Sequence, residues 1–173
     1  MAEVLDLPIQ AAAPTVAELR TRFREGKAGL LARFAAARPT APAATRLIRA
    51  LTLHVDQTLL AAWAHAGMPT TTALLAVGGY GRGELFPHSD VDVLVLLPPR
   101  NVAVSAALKA SIEAFITACW DIGLEIGSSV RTVDECIAES SRDVTVQTAL
   151  LESRYLCGSR RVFNSFQIGR AHV

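Results

Sequence analysis

The sequence predicts an α+β (α/β) fold, with helices over the first third of the chain and then a small sheet flanked by further helices. Three observations carry this reading. Apolar residues recur at helical spacing as far as Ala66; the texture changes at Thr70 to the short apolar runs ALLAV and VDVLVLL; and a further helical pattern follows the second run. At 173 residues the chain is one domain's worth by the usual prior of about 150 residues. With 51% hydrophobic and 19% charged residues it is far from the composition of disordered chains, so a packed core is expected.

The elements follow in order. From Thr15 to about Ala37, Val16, Leu19, Phe23, Leu30, Leu31 and Phe34 recur as one face of an amphipathic helix, loosened at Gly26. Arg38–Pro42 (RPTAP) reads as a linker, because its two prolines oppose helix continuation. A second helix spans about Ala44 to Ala66 on the face Leu47, Leu51, Val55, Leu59 and Trp63, and Gly67 stops it. Ala73–Val77 and Val91–Leu97 are buried strands, the second closed by Pro98 and Pro99. Val102–Trp120 is helical, Leu124–Thr132 (LEIGSSVRT) is a third strand with Gly127 inside it, and Val133 to about Leu151 is mostly helical again. Gln167–Val173 (QIGRAHV) is expected to be a non-native tail: Ile168 onwards extends no helix, and the seven residues are encodable by a sequencing-adapter run.

Charge and cysteines narrow the class. Seventeen Lys plus Arg against 16 Asp plus Glu give a formal net charge of +1, too little to gather nucleic acid or an anionic membrane, so no partner of either kind is expected. Cys119, Cys136 and Cys157 are widely spaced and contain no CxxC pair, which argues for reduced thiols rather than a disulfide framework or a zinc knuckle. The N-terminus carries Glu3 and Asp6 and has no basic region or long apolar stretch. A cytoplasmic protein is therefore expected.

The chemistry concentrates in VGGYGRGELFPHSDVDVLVLL, Val77 to Leu97. Asp90 and Asp92 stand two apart at the head of a strand, so their side chains share a face. Held that close they repel, and a cation between them relieves the repulsion; hard oxygen donors favour Mg²⁺, with substrate phosphates completing its shell. Such pairs suit phosphoryl and nucleotidyl transfer. Gly78, Gly79, Gly81 and Gly83 strip side chains from the turn after a strand, so backbone N–H groups can approach phosphates. Arg82 either donates to those phosphates or pairs with Glu84, and Ser89 is either a turn-former or a hydroxyl donor. His88, after Pro87 in a turn, reads as a surface histidine.

Gly78-Gly79-Tyr80-Gly81-Arg82-Gly83-Glu84 followed by Ser89-Asp90-Val91-Asp92 resembles the signature of the DNA polymerase β-like nucleotidyltransferase superfamily. The run is similar in particular to the uridylyltransferase/uridylyl-removing family of bacterial nitrogen control, as are LEIGSSVRT, DVTVQ (Asp143–Gln147) and LLESRYLCG (Leu150–Gly158). The resemblance implies the polymerase β-like fold, a small mixed sheet flanked by helices and preceded by N-terminal helices. It implies a nucleotidyltransferase domain over 70–166, C-terminally truncated, after a helical segment over 1–69. It further implies transfer of UMP from UTP to a tyrosine of the PII signal protein with release of pyrophosphate, and Mg²⁺ at Asp90 and Asp92. Gly78, Gly79, Arg82, Gly83 and Ser89 are the nucleotide-binding candidates. Superfamily members usually add a third carboxylate, for which Glu125 is the candidate, a solvated strand residue being the competing reading. Gly79 stands where many relatives carry serine, which leaves backbone N–H groups to serve there.

Members of that family continue into an HD-type hydrolase domain and two ACT domains, so UMP removal and glutamine sensing are not expected of these residues. The competing readings are another transferase of the superfamily, such as an adenylyltransferase or an antibiotic-modifying enzyme; a regulatory module that binds nucleotide without turnover; and a structural domain whose glycines are only turns.

Overall fold

A computed structural model describes residues 13–99 and 105–170. Helix α1 (Val16–Ala36) opens with a capping box: the Thr15 hydroxyl accepts from Glu18 N–H, and the Glu18 carboxylate accepts from Thr15 N–H at 2.8 Å. Helix α2 (Ala41–His65) starts inside the stretch expected to be a linker. Thr40 caps it and Pro42 sits in its first turn, where an N–H has no intrahelical acceptor and proline is tolerated. Nor is α1 loosened at Gly26. The helix runs through it unbroken, and a Cβ there would collide with the His54 imidazole, which stacks on Phe23 with centroids 5.5 Å apart and donates from Nε2 to the Phe23 carbonyl. The glycine lets α1 and α2 cross closely.

Strand β1 (Ala73–Ala76) leads into the single-turn helix α3 (Gly78–Gly81), then into β2 (Val91–Leu96), α4 (Ala106–Ile122) and β3 (Ile126–Arg131). Val102 and Val104, read as the start of α4, lie outside the described residues. Gly123 ends that helix at φ +96°. The helical region after β3 divides into α5 (Val133–Ser140) and α6 (Val144–Leu151), because Asp143 stops the chain to cap α6 through the N–H groups of Thr145 and Val146. Two elements were not anticipated as such, β4 (Arg154–Gly158) and α7 (Arg160–Arg170). Helix α7 also corrects the expectation that Ile168 onwards continues no helix: Ile168–Arg170 form its last turn, and Arg170 Nη1 donates to the carbonyls of Leu150 and Leu151 at 2.9 and 3.1 Å.

The sheet is mixed, in the order β3-β2-β1-β4, with β1 antiparallel to both β2 and β4 and β2 parallel to β3. Its two faces build two cores. Leu74, Ala76, Val93 and Val95 meet Leu19, Phe23, Leu59, Trp63 and Phe115 from α1, α2 and α4, with Trp63 edge-on to Phe115 at 5.3 Å. Ala73, Leu75, Leu94 and Leu96 meet Cys136, Leu150, Val162 and Phe166 from α5, α6 and α7. Each fully buried Leu or Phe contributes roughly 1.5–3 kcal/mol. Burial also pushes the Cys119 thiol up to about 12 and the Cys136 thiol to about 11, which suits core packing rather than nucleophilic chemistry. Among the described residues no helix is long and apolar enough to cross a membrane.

Candidate active site

The strand directions assemble the site. Because β1 runs antiparallel to β2, the C-terminal end of β1 lies beside the N-terminal end of β2. The parallel partner β3 begins at the same edge, and so does β4, whose Arg154 stands opposite Ala76. Four separate stretches of sequence therefore meet at one edge of the sheet: Glu125–Gly127, Asp90–Asp92, Gly78–Gly83 and Glu152–Arg154.

At its centre, Asp92 pairs with Gly127 across the parallel ladder, and its own carbonyl accepts from Val77 N–H at 3.0 Å. A Cβ on Gly78 would lie 3.7 Å from Asp92 Oδ2, so the glycine turn faces the carboxylate directly. Gly78 has φ +58°, a conformation that favours glycine. Asp90 stands just before β2 begins, is exposed, and lies near enough for its charge to act on Asp92. Partial burial, and then the charge of Asp90, hold the Asp92 carboxyl above its ordinary value of 3.8. This is the pair of repelling hard oxygen donors that a divalent cation such as Mg²⁺ fits.

In the sequence Gly127 is only a glycine inside a strand, and the geometry gives its reason. A Cβ there would collide with Asp92 Oδ1. Gly127→Ala is expected to displace that carboxylate and weaken Mg²⁺ binding about 10–100-fold, in the range typical of residues that orient a metal ligand; calorimetric titration of Mg²⁺ checks this, and unchanged affinity would contradict it.

The remaining candidates take distinct places. Glu125 precedes β3, its carbonyl accepts from Val91 N–H at 2.9 Å, and its exposed side chain shares with Asp90, Gly127 and Trp120 an open cavity of about 480 Å³. Among the described residues no three His, Cys, Asp or Glu side chains come close enough together to hold a metal ion. Glu125 thus lines the same cavity as Asp90 without forming a three-carboxylate cluster with Asp90 and Asp92. Arg82 pairs with Glu84 at 2.8 Å through Nε and with Glu152 at 2.5 Å through Nη1, while its Nη2 lies 3.7 Å from where a Gly79 Cβ would stand. Its guanidinium thus borders the turn with two of its nitrogens engaged. Gly83, at φ +77°, gives its carbonyl to the Thr52 hydroxyl at 2.9 Å. Ser89 is exposed, and its N–H donates to the Phe86 carbonyl in a turn; His88 is exposed beside it. Gly81 serves packing, since a Cβ there would run into the Glu152 carbonyl.

A supporting network behind the turn escaped the sequence reading. Tyr80 is 2% exposed, and its hydroxyl donates to Asp56 Oδ1 at 2.5 Å. Arg154 grips the same carboxylate with both terminal nitrogens, at 2.8 and 3.0 Å, and its guanidinium lies over the Tyr80 ring at 5.4 Å. Burial, followed by the Asp56 hydrogen bond, keeps the Tyr80 hydroxyl protonated well above the ordinary phenol range. The partners are 24 and 98 residues from Asp56, and no local pattern links them.

Residues 67–148 match a family described as nucleotidyltransferase domain. Over 158 residues, 91% of this chain, the sequence is 52% identical to the bifunctional uridylyltransferase/uridylyl-removing enzyme of Burkholderia thailandensis, of which the alignment covers 18%. Proteins with the same description from Burkholderia mallei and Burkholderia pseudomallei are 51% identical over 155 residues, 90% of this chain and 17% of their length. The chain thus spans less than a fifth of these relatives.

Proposed function

The chain carries a nucleotidyltransferase domain related to the bifunctional uridylyltransferase/uridylyl-removing enzymes, and from that premise we propose that it transfers UMP from UTP to a tyrosine hydroxyl of the PII signal protein, releasing pyrophosphate. The observation that carries the proposal is the convergence of Asp90, Asp92 and the Gly78 turn on one sheet edge, with Gly78 in contact range of the Asp92 carboxylate.

The geometry supports the following roles. The first N–H groups of α3, at Gly78 and Gly79, have no intrahelical acceptor and bind the β- and γ-phosphates, with the free edge of Arg82 beside Gly79. Asp90 and Asp92 are the residues that would hold Mg²⁺, which would supply charge neutralisation and Lewis-acid activation at the phosphates. Asp92, beside the Gly78 turn, takes the proton of the acceptor hydroxyl. Otherwise the protein positions the reactants, which is most of what phosphoryl-group chemistry asks of it.

Calorimetry of UTP with the 173-residue chain tests this. Binding is expected to require Mg²⁺ and to be stronger for UTP than for ATP, and pyrophosphate and uridylylated PII are expected as products. A preference for ATP would favour an adenylyltransferase, and UTP binding that survives chelation of the metal would sink the proposed roles of Asp90 and Asp92.

A further inference from the structure

Trp120 is 63% exposed, on the last full turn of α4, whereas its neighbour Cys119 is fully buried and the Asp121 carbonyl is taken by Arg20. Gly123 then turns the chain at φ +96° toward Glu125. The indole therefore stands at the rim of the cavity lined by Asp90, Glu125 and Gly127, on the β3 side of the aspartate pair. The glycine turn lies on the opposite side, at the end of β1. An in-line displacement puts the attacking and leaving oxygens on opposite sides of the phosphorus. If pyrophosphate departs over the glycine turn, the acceptor arrives from the Trp120 side.

Resting on the reading of the site given above, we propose that Trp120 is the positioning residue for the acceptor, its indole packing against the incoming tyrosine ring so that the phenol oxygen reaches the α-phosphorus beside Asp90. In the step it serves, the phenol oxygen forms a bond to the α-phosphorus. The bond to the α,β-bridging oxygen breaks, pyrophosphate leaves with that electron pair, and the phenol proton passes to Asp92. Indole against phenol is a ring pair with a geometric preference, and it orders a side chain with few torsions.

The sequence holds two tryptophans, and the second, Trp63, is 7% exposed in the core beside Phe115. The ¹⁵N-labelled chain therefore offers one reporting and one silent indole N–H resonance, with Trp120→Phe assigning them. N-acetyltyrosinamide is expected to shift the Trp120 signal and leave Trp63 still, and Mg²⁺ with UTP is expected to shift the Gly78 and Gly79 amides but not Trp120. In transfer assays with PII, Trp120→Ala is expected to raise KM for PII about tenfold and to change KM for UTP less than about twofold, with Trp120→Phe recovering most of the loss. A Trp120 signal moved by UTP and not by the tyrosine amide would overturn the proposal and make the indole a nucleobase platform. Immobility with both ligands would overturn it outright. Unmoved glycine amides under Mg²⁺ and UTP would instead refute the nucleotide site, and the tyrosine titration would still decide the role of Trp120 by itself.

Discussion

Replacing Asp90 and Asp92 together by asparagine is expected to abolish Mg²⁺-dependent UTP binding and cut transfer by at least about a thousandfold, the several kcal/mol that a metal ion contributes at such a centre, without unfolding the protein. The single variant Asp92→Asn is expected to be more stable than the parent when no metal is present. Burial and the neighbouring Asp90 charge raise the Asp92 carboxyl in the folded chain, so the folded state binds its proton more readily than the unfolded state does. That contribution favours folding below the ordinary value of 3.8 and is lost as pH rises through the raised value of Asp92; above it, the ionised carboxylate opposes folding. The Tm advantage of Asp92→Asn should therefore grow from about pH 3.8 up through that raised value and level off toward neutrality. Mg²⁺ with UTP should reverse the order, since a ligand at 100 times its Kd stabilises the parent by about 2.7 kcal/mol and the variant not at all. Melting curves across pH, with and without ligand, check both parts. A variant less stable than the parent at pH 7 in chelator would refute the electrostatic account.

Asp56→Ala is expected to be the most destabilising single substitution in the network behind the glycine turn, at roughly 3 kcal/mol, the lower end of the cost of breaking a buried ion pair. The lower end applies because the Asp56 side chain is 15% exposed and that of Arg154 is 34% exposed, so water relieves part of the loss. One carboxylate accepts from the Tyr80 hydroxyl and from two Arg154 nitrogens, and its removal leaves all three donors without that acceptor. Tyr80→Phe removes only one hydrogen bond and should cost about 1 kcal/mol. For a chain of this size the two should lower Tm by roughly 6–12 °C and 2–4 °C. Since Tyr80 belongs to α3, Asp56→Ala should also weaken UTP binding although Asp56 does not touch the nucleotide. Equal losses for the two variants in urea titration would mean that Arg154 is held by something other than Asp56.

Much of the site was legible because its meaning is local. Asp90 and Asp92 two residues apart at a strand head, and glycines directly after another strand, are patterns that neighbouring residues define, and the mixed sheet brings them together as the resemblance implied. What stayed hidden depends on distant partners. Nothing near Gly81 announces that the Glu152 carbonyl will pack on it, and nothing near Gly127 announces the Asp92 carboxylate. The alternatives left open at Arg82 were a matter of reach: Glu84 was visible two residues away, Glu152 was not. Strand β4 carried no alternating pattern, only Tyr155, Leu156 and Cys157 in a row behind an arginine, all half-buried at the sheet's edge. Pro42 misled because a helix breaker is harmless in a first turn.

The pairing of Ala76 with Arg154 has a consequence for synthesis of the chain. The glycine turn is made early, but the strand and arginine that secure it from the far side follow 78 residues later (154 minus 76). At roughly 5–20 residues per second this is an interval of roughly 4–16 s at the ribosome. Throughout it β1 has one open edge, and Asp56 and Tyr80 await their cation. A nascent chain stalled before Arg154 would carry every residue assigned to metal and phosphate binding, and still lack the clamp that fixes their spacing.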